Sequence, residues 1–360
     1  MRFLTTLSLA NCVLAANVTR FSPSVPLAPS PLPPPHPRSD GEAIISLFQT
    51  LGRTTIWRSI ANISLQSPGY TYEPEGIVRL GSDRYVVSAG DWTVPTVSYG
   101  NGRIINGTDR TAGEGSAHFL VYTGNGTLLA DATLTSPGEI EYHTGGIDFD
   151  GEYIWTTLAQ YRPNTTAHIV RVKPSDLSQE TVLRVFDHQG AIVHNTAKQT
   201  LHTLNWGSRN ASTFAYPAGH PHGKPNHYKP PPSINSAYTP PTATVRNPSY
   251  FIDYQDCKLL SLASPSYNYR PIMLCSGIAT LGTYYLGGIA LVDIETMTPV
   301  AEVPITLRTD AGVPLTVNPV EASVVNGKLR MYWLPGIGET VLRVHEADPR
   351  SPFEFGGGPQ

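Results

Sequence analysis

Acidic and imidazole side chains recur in this chain at the start of short apolar segments. Glu75, His143 and His188 stand just before or at the beginning of such segments, and Glu321 opens another. An imidazole can take up or release a proton near neutral pH, and a carboxyl group can act as a second acid or base. We therefore predict these four residues as catalytic candidates, and the chemistry they permit is hydrolysis or elimination.

Polar and aromatic side chains also cluster in the connections next to these segments. Flat aromatic rings offer stacking surfaces, and a guanidinium group can hold a carboxylate through two hydrogen bonds. The combination predicts a pocket for a small polar ligand, either acidic or sugar-like. The alternative is that these groups only hydrogen-bond the loops around them. The predicted ligand-binding residues are Asp91, Trp92, Tyr161, Arg162, Trp206, Arg209 and Asn247.

The chain lacks the local motifs of several enzyme classes. It contains no G-x-S-x-G nucleophile motif, no H-E-x-x-H zinc motif and no glycine-rich phosphate loop. His220, His222 and His227 lie in a Pro-rich stretch without Cys or carboxylate, so we interpret them as a chance cluster rather than a metal site. No metal site is predicted from motifs.

A divalent cation such as Ca²⁺ is expected only under one alternative function, in which the protein is a metal-dependent lactonase or esterase. In that case Glu75 together with Asn247 or Asn318 would supply oxygen ligands to the ion. The nature of any cofactor stays open at this point.

The candidates are positioned by a phrase that the sequence repeats five times: a turn-rich entry, a short apolar strand, a tight turn and a second, more apolar strand. The copies begin at Pro74, His143, His188, Asn247 and Asn318. A second hairpin follows in several copies, so each copy supplies four strands. Four-stranded antiparallel meanders repeated around an axis form a propeller. We predict an all-β, five-bladed β-propeller.

The last copy lacks one outer strand, and the N-terminal segment from Thr54 matches the outer strand of the first blade. We therefore expect the N-terminal strand to close the ring. Residues before each first strand and after each second strand would then surround the mouth of a central funnel. Asp83, Asp150–Gly151 and Asn326–Gly327 fall in the tight turns instead and are interpreted as structural.

The remaining segments divide the chain into one domain with irregular attachments. Residues 1–16 resemble a secretory signal peptide, and the Pro-dense residues 17–39 are expected to be disordered and to pack against nothing. A short amphipathic helix is predicted within 40–52, where it would plug one face of the body. The propeller spans 40–348 with a Pro-rich surface loop at 215–246, and 349–360 form a flexible tail.

Cysteine usage and acceptor triplets agree with a secretory route. Cys257 and Cys275 are the two cysteines left after removal of the signal peptide, and we expect them to form one disulfide. We predict a secreted, extracellular glycoprotein. The predicted N-glycosylation sites are Asn17, Asn62, Asn106, Asn125, Asn164 and Asn210, of which Asn62 requires an exposed sheet edge.

Charge and hydropathy exclude some partners. The formal net charge is −3 without a basic run, which argues against nucleic acid. No segment after the signal peptide approaches 18 uninterrupted apolar residues, so no membrane span is expected. We expect a monomer whose partner is a small polar ligand.

Several motifs, in one order, resemble a family of secreted microbial, mainly fungal, proteins grouped as a domain of unknown function. They include HTGGIDFDGEYIW from His143, NWGSR from Asn205 and NPSYFIDYQDC from Asn247. The resemblance covers most of residues 55–346 and implies a propeller-like fold and an extracellular location, but no activity. Pro74-Glu75-Gly76 is also similar to the opening of calcium-dependent gluconolactonase-type propellers, which have six blades.

Three functions from different classes remain open. The first is a binding protein whose funnel holds a small polar ligand. The second is a hydrolase or lyase acting on carbohydrate or lactone, with or without a metal. The third is an interaction scaffold that uses the rim or the Pro-rich loop.

Overall fold

The computed structural model describes residues 17–52, 54–216, 238–249, 253–338 and 340–349. These residues form five antiparallel sheets that stand as blades around a central channel. The predicted five-bladed β-propeller is confirmed. No helix among the described residues has the length and apolar character needed to cross a membrane.

The chain enters the ring through β1 (Asn17–Arg20), the helix α1 (Gly41–Phe48) and β2 (Ile56–Ser64). Blade 1 contains β3 (Glu73–Arg79), β4 (Arg84–Val94), β5 (Glu114–Thr123) and β6 (Leu128–Thr133). Blade 2 contains β7 (His143–Thr144), β8 (Asp148–Phe149), β9 (Ile154–Ala159), β10 (Thr166–Val172) and β11 (Gln179–Phe186). Its first strand is interrupted, so β7 and β8 both pair with β9.

The other three blades follow the same order. Blade 3 contains β12 (Gln189–Asn195), β13 (Thr200–Asn205), β14 (Asn210–Ala215) and β15 (Ala243–Arg246). Blade 4 contains β16 (Asp253–Ser264), β17 (Arg270–Leu281), β18 (Tyr284–Asp293) and β19 (Pro299–Ile305). Blade 5 contains β20 (Val320–Val325), β21 (Lys328–Trp333) and β22 (Val341–Asp348).

The ring is closed by the N-terminal strand, as the sequence predicts. β2 pairs antiparallel with β22, from Ile56 opposite Asp348 to Ser64 opposite Val341, and so becomes the fourth strand of blade 5. Asn62 lies exposed on this outer strand, where a glycan would have room. Closure joins the two ends of the chain and removes an open sheet edge.

The blades form where apolar residues alternate along strands and tight turns separate them. The turn between β20 and β21 is Asn326-Gly327, and both residues have the positive φ that a tight hairpin turn requires. Facing blades bury their apolar side chains against each other, for example Phe119 of blade 1 in one cluster with Ile147 and Ile154 of blade 2. These packed layers hold the first strands at fixed positions around the channel.

The N-terminal Pro-rich segment packs against the propeller, and the expectation of a disordered tether over 17–39 is wrong. β1 pairs with β6, and Leu27 is 2% exposed within the core of blades 1 and 2. The segment then crosses to the end of the channel, where His36–Arg38 form a short 3-10 turn. Prolines prevent internal hydrogen bonds, but they leave apolar side chains free to pack on a nearby surface.

The helix predicted within 40–52 is present as α1. Ile44, Ile45 and Phe48 on its buried face pack in one cluster with strands of blades 4 and 5. The disulfide between Cys257 and Cys275 is also present and joins directly opposed residues of β16 and β17.

Part of the predicted loop 215–246 has regular structure. Its last residues, β15, pair with β14 and complete blade 3, so the prolines upstream do not exclude a strand there. Residues 217–237, the predicted signal peptide of residues 1–16 and the tail from residue 350 lie outside the described residues. Asn17, Asn106, Asn125 and Asn164 are exposed and Asn210 is half-buried, and glycosylation of the six sites stays a prediction.

A buried ion pair closes the middle of the channel. Asp256 accepts hydrogen bonds from the main-chain N–H groups of Ile77, Ile147 and Val320, which belong to the first strands of three other blades. The Lys258 ammonium, 1% exposed, lies 2.7 Å from Oδ1 of Asp256. This pair ties four blades together and separates the two ends of the channel.

Candidate functional site

The channel mouth is the end at which the first strands begin. Glu73 is the first residue of β3, and Glu75 lies at an irregularity two residues farther on, where the pairing with β4 shifts register between Pro74 and Gly76. A carboxylate oxygen of each lies within 4.8 Å of the other. Glu75 is 4% exposed, and Asn318 of blade 5 hydrogen-bonds Glu73. The mouth therefore begins with two neighbouring carboxyl groups.

His143 of β7 brings blade 2 to these carboxyl groups. Its Nε2 lies 3.0 Å from Oε1 of Glu75. Its ring stacks on Tyr161, which follows β9, with centroids 4.7 Å apart and planes inclined by 25°. The stacking fixes the plane of the imidazole against the mouth.

His188 and Trp206 extend the same cluster to blade 3. The His188 ring lies 5.3 Å from His143 and 4.9 Å from Trp206, and Trp206 meets Tyr161 edge-on at 5.2 Å. Nδ1 of His188 lies 2.7 Å from the carbonyl oxygen of Gln160, so this nitrogen donates and Nε2 keeps its lone pair. We call Glu73, Glu75, His143, Tyr161, His188 and Trp206 the mouth cluster.

A cavity of about 130 Å³ opens onto this cluster. Arg110, from the long connection between β4 and β5, lies over the Trp206 ring at 4.6 Å and over the Tyr161 ring at 5.6 Å. The same guanidinium makes two 2.9 Å hydrogen bonds to its neighbour Asp109, so its charge is already balanced. The residues that line the cavity include Glu73, Trp92, Tyr142, His143, Tyr161 and Ile337.

Burial sets the protonation of the mouth cluster. Burial, reinforced by the adjacent Glu75, raises the pKa of Glu73 to about 7, and burial together with Asp256 raises the pKa of Glu75 well above its ordinary value. Burial lowers the pKa of His143 to about 4 and that of His188 to about 3. Both imidazoles are therefore neutral at pH 7, and Glu73 is the group that titrates closest to neutrality.

Glu321, predicted to lie with Glu75, occupies the opposite end of the channel. Its Oε2 accepts a hydrogen bond from the main-chain N–H of Arg79, the last residue of β3, and its Oε1 lies 2.8 Å from Nε2 of His36. The reason is register: Asp256 binds the N–H groups of both Ile77 and Val320, so Glu321 is about three residues, or roughly 10 Å, deeper than Glu75. We call His36, Asp40 and Glu321 the sealed end.

The sealed end has its own cavity, of about 290 Å³, next to the Pro-rich segment. Three of its charged groups form one network, because His36 bridges Asp40 and Glu321 at 2.7 and 2.8 Å. Burial alone would lower the pKa of His36, but the two carboxylates raise it to about 10. The His36, Asp40 and Glu321 side chains at this cavity therefore satisfy one another rather than being available to a ligand.

The structure brings Trp92, Tyr161 and Trp206 to the mouth but not the two predicted arginines. Arg162 donates to Oε1 of Gln160 at 2.9 and 2.7 Å and lines a neighbouring cavity of about 300 Å³. Arg209 is exposed and donates to the carbonyl oxygen of Gly207. The expected arginine clamp for a carboxylate is absent from the mouth cluster.

Asp91 and Asn247 serve the scaffold. Asp91 accepts hydrogen bonds from the main-chain N–H and the hydroxyl of Ser116, at 2.8 and 2.6 Å, within blade 1. The Asn247 amide donates to the carbonyl oxygen of Ser208 at 2.9 Å and accepts from the N–H of Ser249. Both side chains therefore use their polar atoms within their own blades.

Sequence reasoning missed Glu73, Tyr142 and Arg110. Glu73 carries a usable signal, since it is a second acidic residue two positions before Glu75 at the start of the same strand. Tyr142 directly precedes His143. Arg110 carries no such signal, because its place depends on how a long connection folds back over the mouth.

Three side chains of the mouth cluster, Glu73, Glu75 and His143, are arranged as the ligands of a cation would be. One ligand atom each from Glu73, Glu75 and His143 lies within 4.8 Å of the others. Of the amides considered as partners of Glu75, Asn318 contacts Glu73, whereas Asn247 is committed to its loop. The mouth therefore offers two carboxylates and one imidazole.

Comparison with known proteins gives a family and no activity. The sequence profile of a family of unknown function, DUF6454, matches residues 37–342. A search of curated proteins finds no match.

Solved structures resemble the chain only distantly. A luciferin-regenerating enzyme is 8% identical, with a TM-score of 0.39 over 81% of this chain and 95% of that one. A catalytically inactive variant of virginiamycin B lyase from Staphylococcus aureus is 10% identical, with a TM-score of 0.34 over 81% and 99%. A putative 6-phosphogluconolactonase from Bacteroides fragilis is 11% identical, with a TM-score of 0.31 over 81% and 94%. Likenesses of this size carry no argument about function.

Proposed function

We propose that this chain, which belongs to the family of unknown function DUF6454, binds a small hydroxyl-rich ligand such as a sugar at the channel mouth. The observation that carries the proposal is the convergence of side chains from blades 1, 2 and 5 on one cavity of about 130 Å³, where His188 and Trp206 of blade 3 contact the lining residues His143 and Tyr161. A small concave site with flat rings and a few fixed polar groups suits a small polar molecule. The proposal thus assigns the small polar ligand expected from the sequence to the channel mouth.

The aromatic residues favour a ligand with a flat apolar face. Tyr161 and Trp206 are held edge to face at 5.2 Å, and Trp92 lines the same cavity. A pyranose ring presents C–H groups on one face, and packing such a face against a ring buries apolar area without leaving a hydroxyl unpaired. Stacking of this kind positions a sugar while its hydroxyls point to the polar wall.

The polar wall favours hydroxyl donors over a free carboxylate. Glu73, which lines the cavity, accepts hydrogen bonds when it is deprotonated, and Nε2 of the neutral His188 ring in the same cluster is also an acceptor. Arg110, the guanidinium above the rings, is already balanced by Asp109. Of the two ligand types expected from the sequence, a neutral sugar therefore suits the channel mouth without a bound cation better than an acid does.

An extracellular location is part of the proposal. Residues 1–16 have the composition of a signal peptide, six acceptor triplets are present, and Cys257 is bonded to Cys275. Secretion of the processed chain into the medium, with a mature N-terminus at or near Asn17, would support it. Retention of residues 1–16 inside the cell would refute it.

The binding proposal is tested by thermal shift with matched ligands. We expect neutral sugars to raise the melting temperature of the chelator-treated protein more than the corresponding uronic acids. Tyr161→Ala and Trp206→Ala should remove the shift, and Tyr269→Ala, which truncates a tyrosine that is 72% exposed, should retain it. A shift that survives in both mouth variants would refute binding at this site.

One observation favours catalysis as a second candidate. Glu73 has a pKa of about 7, which is where a general acid or base works best, whereas His143 and His188 are too weakly basic to relay protons at pH 7. If the protein is a hydrolase or lyase, Glu73 is the expected proton-transfer group. Turnover of lactones or glycosides that is lost in Glu73→Gln, with binding retained, would establish it, and an unchanged rate would exclude it.

A further inference from the structure

Two neighbouring glutamates lie at the mouth without a lysine or arginine partner among the described residues. One of them, Glu73, lines the mouth cavity. Among the described residues, no lysine or arginine forms an ion pair with Glu73 or Glu75, and the nearest basic group is His143. We propose that Glu73, Glu75 and His143 bind one divalent cation there, and that an oxygen of the bound ligand completes its coordination. The second clause rests on the proposed function, and the first does not.

Two other buried carboxylates of the channel show what the mouth is missing. Asp256 lies 2.7 Å from the Lys258 ammonium, and Glu321 lies 2.8 Å from His36. Burying an unpaired carboxylate is costly, and at these two positions the fold supplies a cation. At the mouth the fold encloses two and supplies an imidazole, which leaves room for a cation from solution.

The position of His143 relative to Glu75 agrees with both side chains binding the same cation. Nε2 of His143 and Oε1 of Glu75 are 3.0 Å apart, which is about the separation of two adjacent ligand atoms with bonds of ~2.1 Å at a right angle. His143 is 7% exposed, and its Nδ1 has no hydrogen-bond partner among the described residues. The ring thus retains a buried nitrogen that no described side chain satisfies, while Tyr161 fixes its plane.

The donor set indicates the kind of ion. Ca²⁺ takes six to eight oxygen ligands, whereas imidazole is a ligand that Zn²⁺ and other transition metals prefer. Two carboxylates and one imidazole therefore suit Zn²⁺ or Mn²⁺ better than the Ca²⁺ expected in the lactonase alternative. Three protein ligands beside an open cavity leave positions for oxygens of a ligand.

Such an ion would change which ligands the site accepts. Without it, a deprotonated Glu73 at the cavity repels an acidic ligand. With it, a carboxylate and a neighbouring hydroxyl can both bind the metal, as the oxygens of a sugar acid or another 2-hydroxy acid would. We infer that neutral sugars bind without the cation and that sugar acids bind only with it.

Isothermal titration of the chelator-treated full chain tests the cation site. We expect one Mn²⁺ or Zn²⁺ per chain, bound at least tenfold more tightly than Ca²⁺. Glu73→Gln, Glu75→Gln and His143→Ala should each weaken Mn²⁺ binding at least tenfold. Glu139→Gln, an exposed glutamate on the same face, is the matched control and should bind like the parent.

The two glutamine variants keep side-chain volume, so circular dichroism and metal-free melting should match the parent even if His143→Ala misfolds. Absence of saturable one-to-one binding, or binding equal to the parent in both glutamine variants, overturns the cation site. Glucuronate and glucose are then titrated with EDTA and with Mn²⁺. Cation binding without binding of either sugar supports the ion site and counts against the proposed function. Equal glucuronate affinity in EDTA and in Mn²⁺ overturns the coordination of the ligand by the cation.

Discussion

The two ends of the channel treat buried carboxylates in opposite ways. At the sealed end, Glu321 contacts a histidine that its neighbours keep protonated, and the chain delivers that histidine on a separate N-terminal segment. At the mouth, Glu73 and Glu75 lie together beside His143, which burial keeps neutral. The same residue type is thus neutralised by the fold at one end and left without a charged partner at the other.

The difference separates groups that hold the fold from groups that are available to a ligand. Natural proteins tolerate local destabilisation where a site must meet something from solution, and they satisfy polar groups elsewhere. Removing a paired charge in the channel should therefore cost stability, whereas removing an unpaired one should not. Variants at the two ends should therefore differ in their effect on the free energy of unfolding.

The largest loss of stability is expected from Lys258→Met, in the middle of the channel. It leaves Asp256 buried without its cation, and breaking a buried ion pair costs about 3–5 kcal/mol. Lys173→Met, which affects an exposed pair with Asp176, should cost less than about 1 kcal/mol. Urea denaturation gives both free energies of unfolding, and similar losses would mean that the buried pair is not a structural tie.

At the sealed end, Glu321→Gln should cost about 2–3 kcal/mol in the free energy of unfolding. It removes the partner of His36 and weakens a charged hydrogen bond to the main chain of Arg79. The control is Glu295→Gln, whose partners Lys198 and Arg270 lie at the surface. A Glu321 variant as stable as the control would remove the basis for calling this end sealed.

The contribution of His36 should depend on pH in a defined direction. Its pKa is raised from 6.5 to about 10, so its stabilisation is complete below pH 6.5 and is lost as the pH rises toward 10. The pKa of Glu321 is held below its ordinary 4.5, so the pair also weakens in acid. The difference in unfolding free energy between the parent and His36→Gln should therefore be largest near pH 5–6 and shrink by pH 9.5. A constant difference would contradict the ion pair.

The smallest effect is expected at the mouth. Glu75→Gln, measured without added cation, should leave the free energy of unfolding unchanged or raise it, within about 1 kcal/mol. Burial already disfavours the ionised form of Glu75, so the amide removes a penalty. A loss as large as that of Glu321→Gln would mean that both ends are structural.

The blades were predictable because their signals are local. Period-two alternation and turns such as Asn326-Gly327 determine each hairpin from a few neighbouring residues. The closing strand β2 was found because the last repeat lacks a strand that the N-terminal segment can supply. Repetition also showed which residues precede each first strand, and this located His143 and His188 at one mouth.

The sealed end was not predictable for a physical reason. Proline density indicates an extended chain but says nothing about whether that chain finds an apolar surface, so the burial of Leu27 and the reach of His36 were missed. The depth of Glu321 depends on how β20 is offset along the channel relative to β3, which the sequence of either strand alone does not contain. The same holds for Arg110, whose loop must fold back over blade 3's Trp206.

The most direct test of the account compares ligand affinity when each end is altered in turn. The neutral sugar that gives the largest thermal shift is titrated calorimetrically into the parent, Tyr161→Ala and Glu321→Gln. We expect one site per chain, at least tenfold weaker binding in Tyr161→Ala, and parental affinity in the less stable Glu321→Gln protein. Equal weakening in the two variants, or parental affinity in Tyr161→Ala, would contradict a binding site at the mouth.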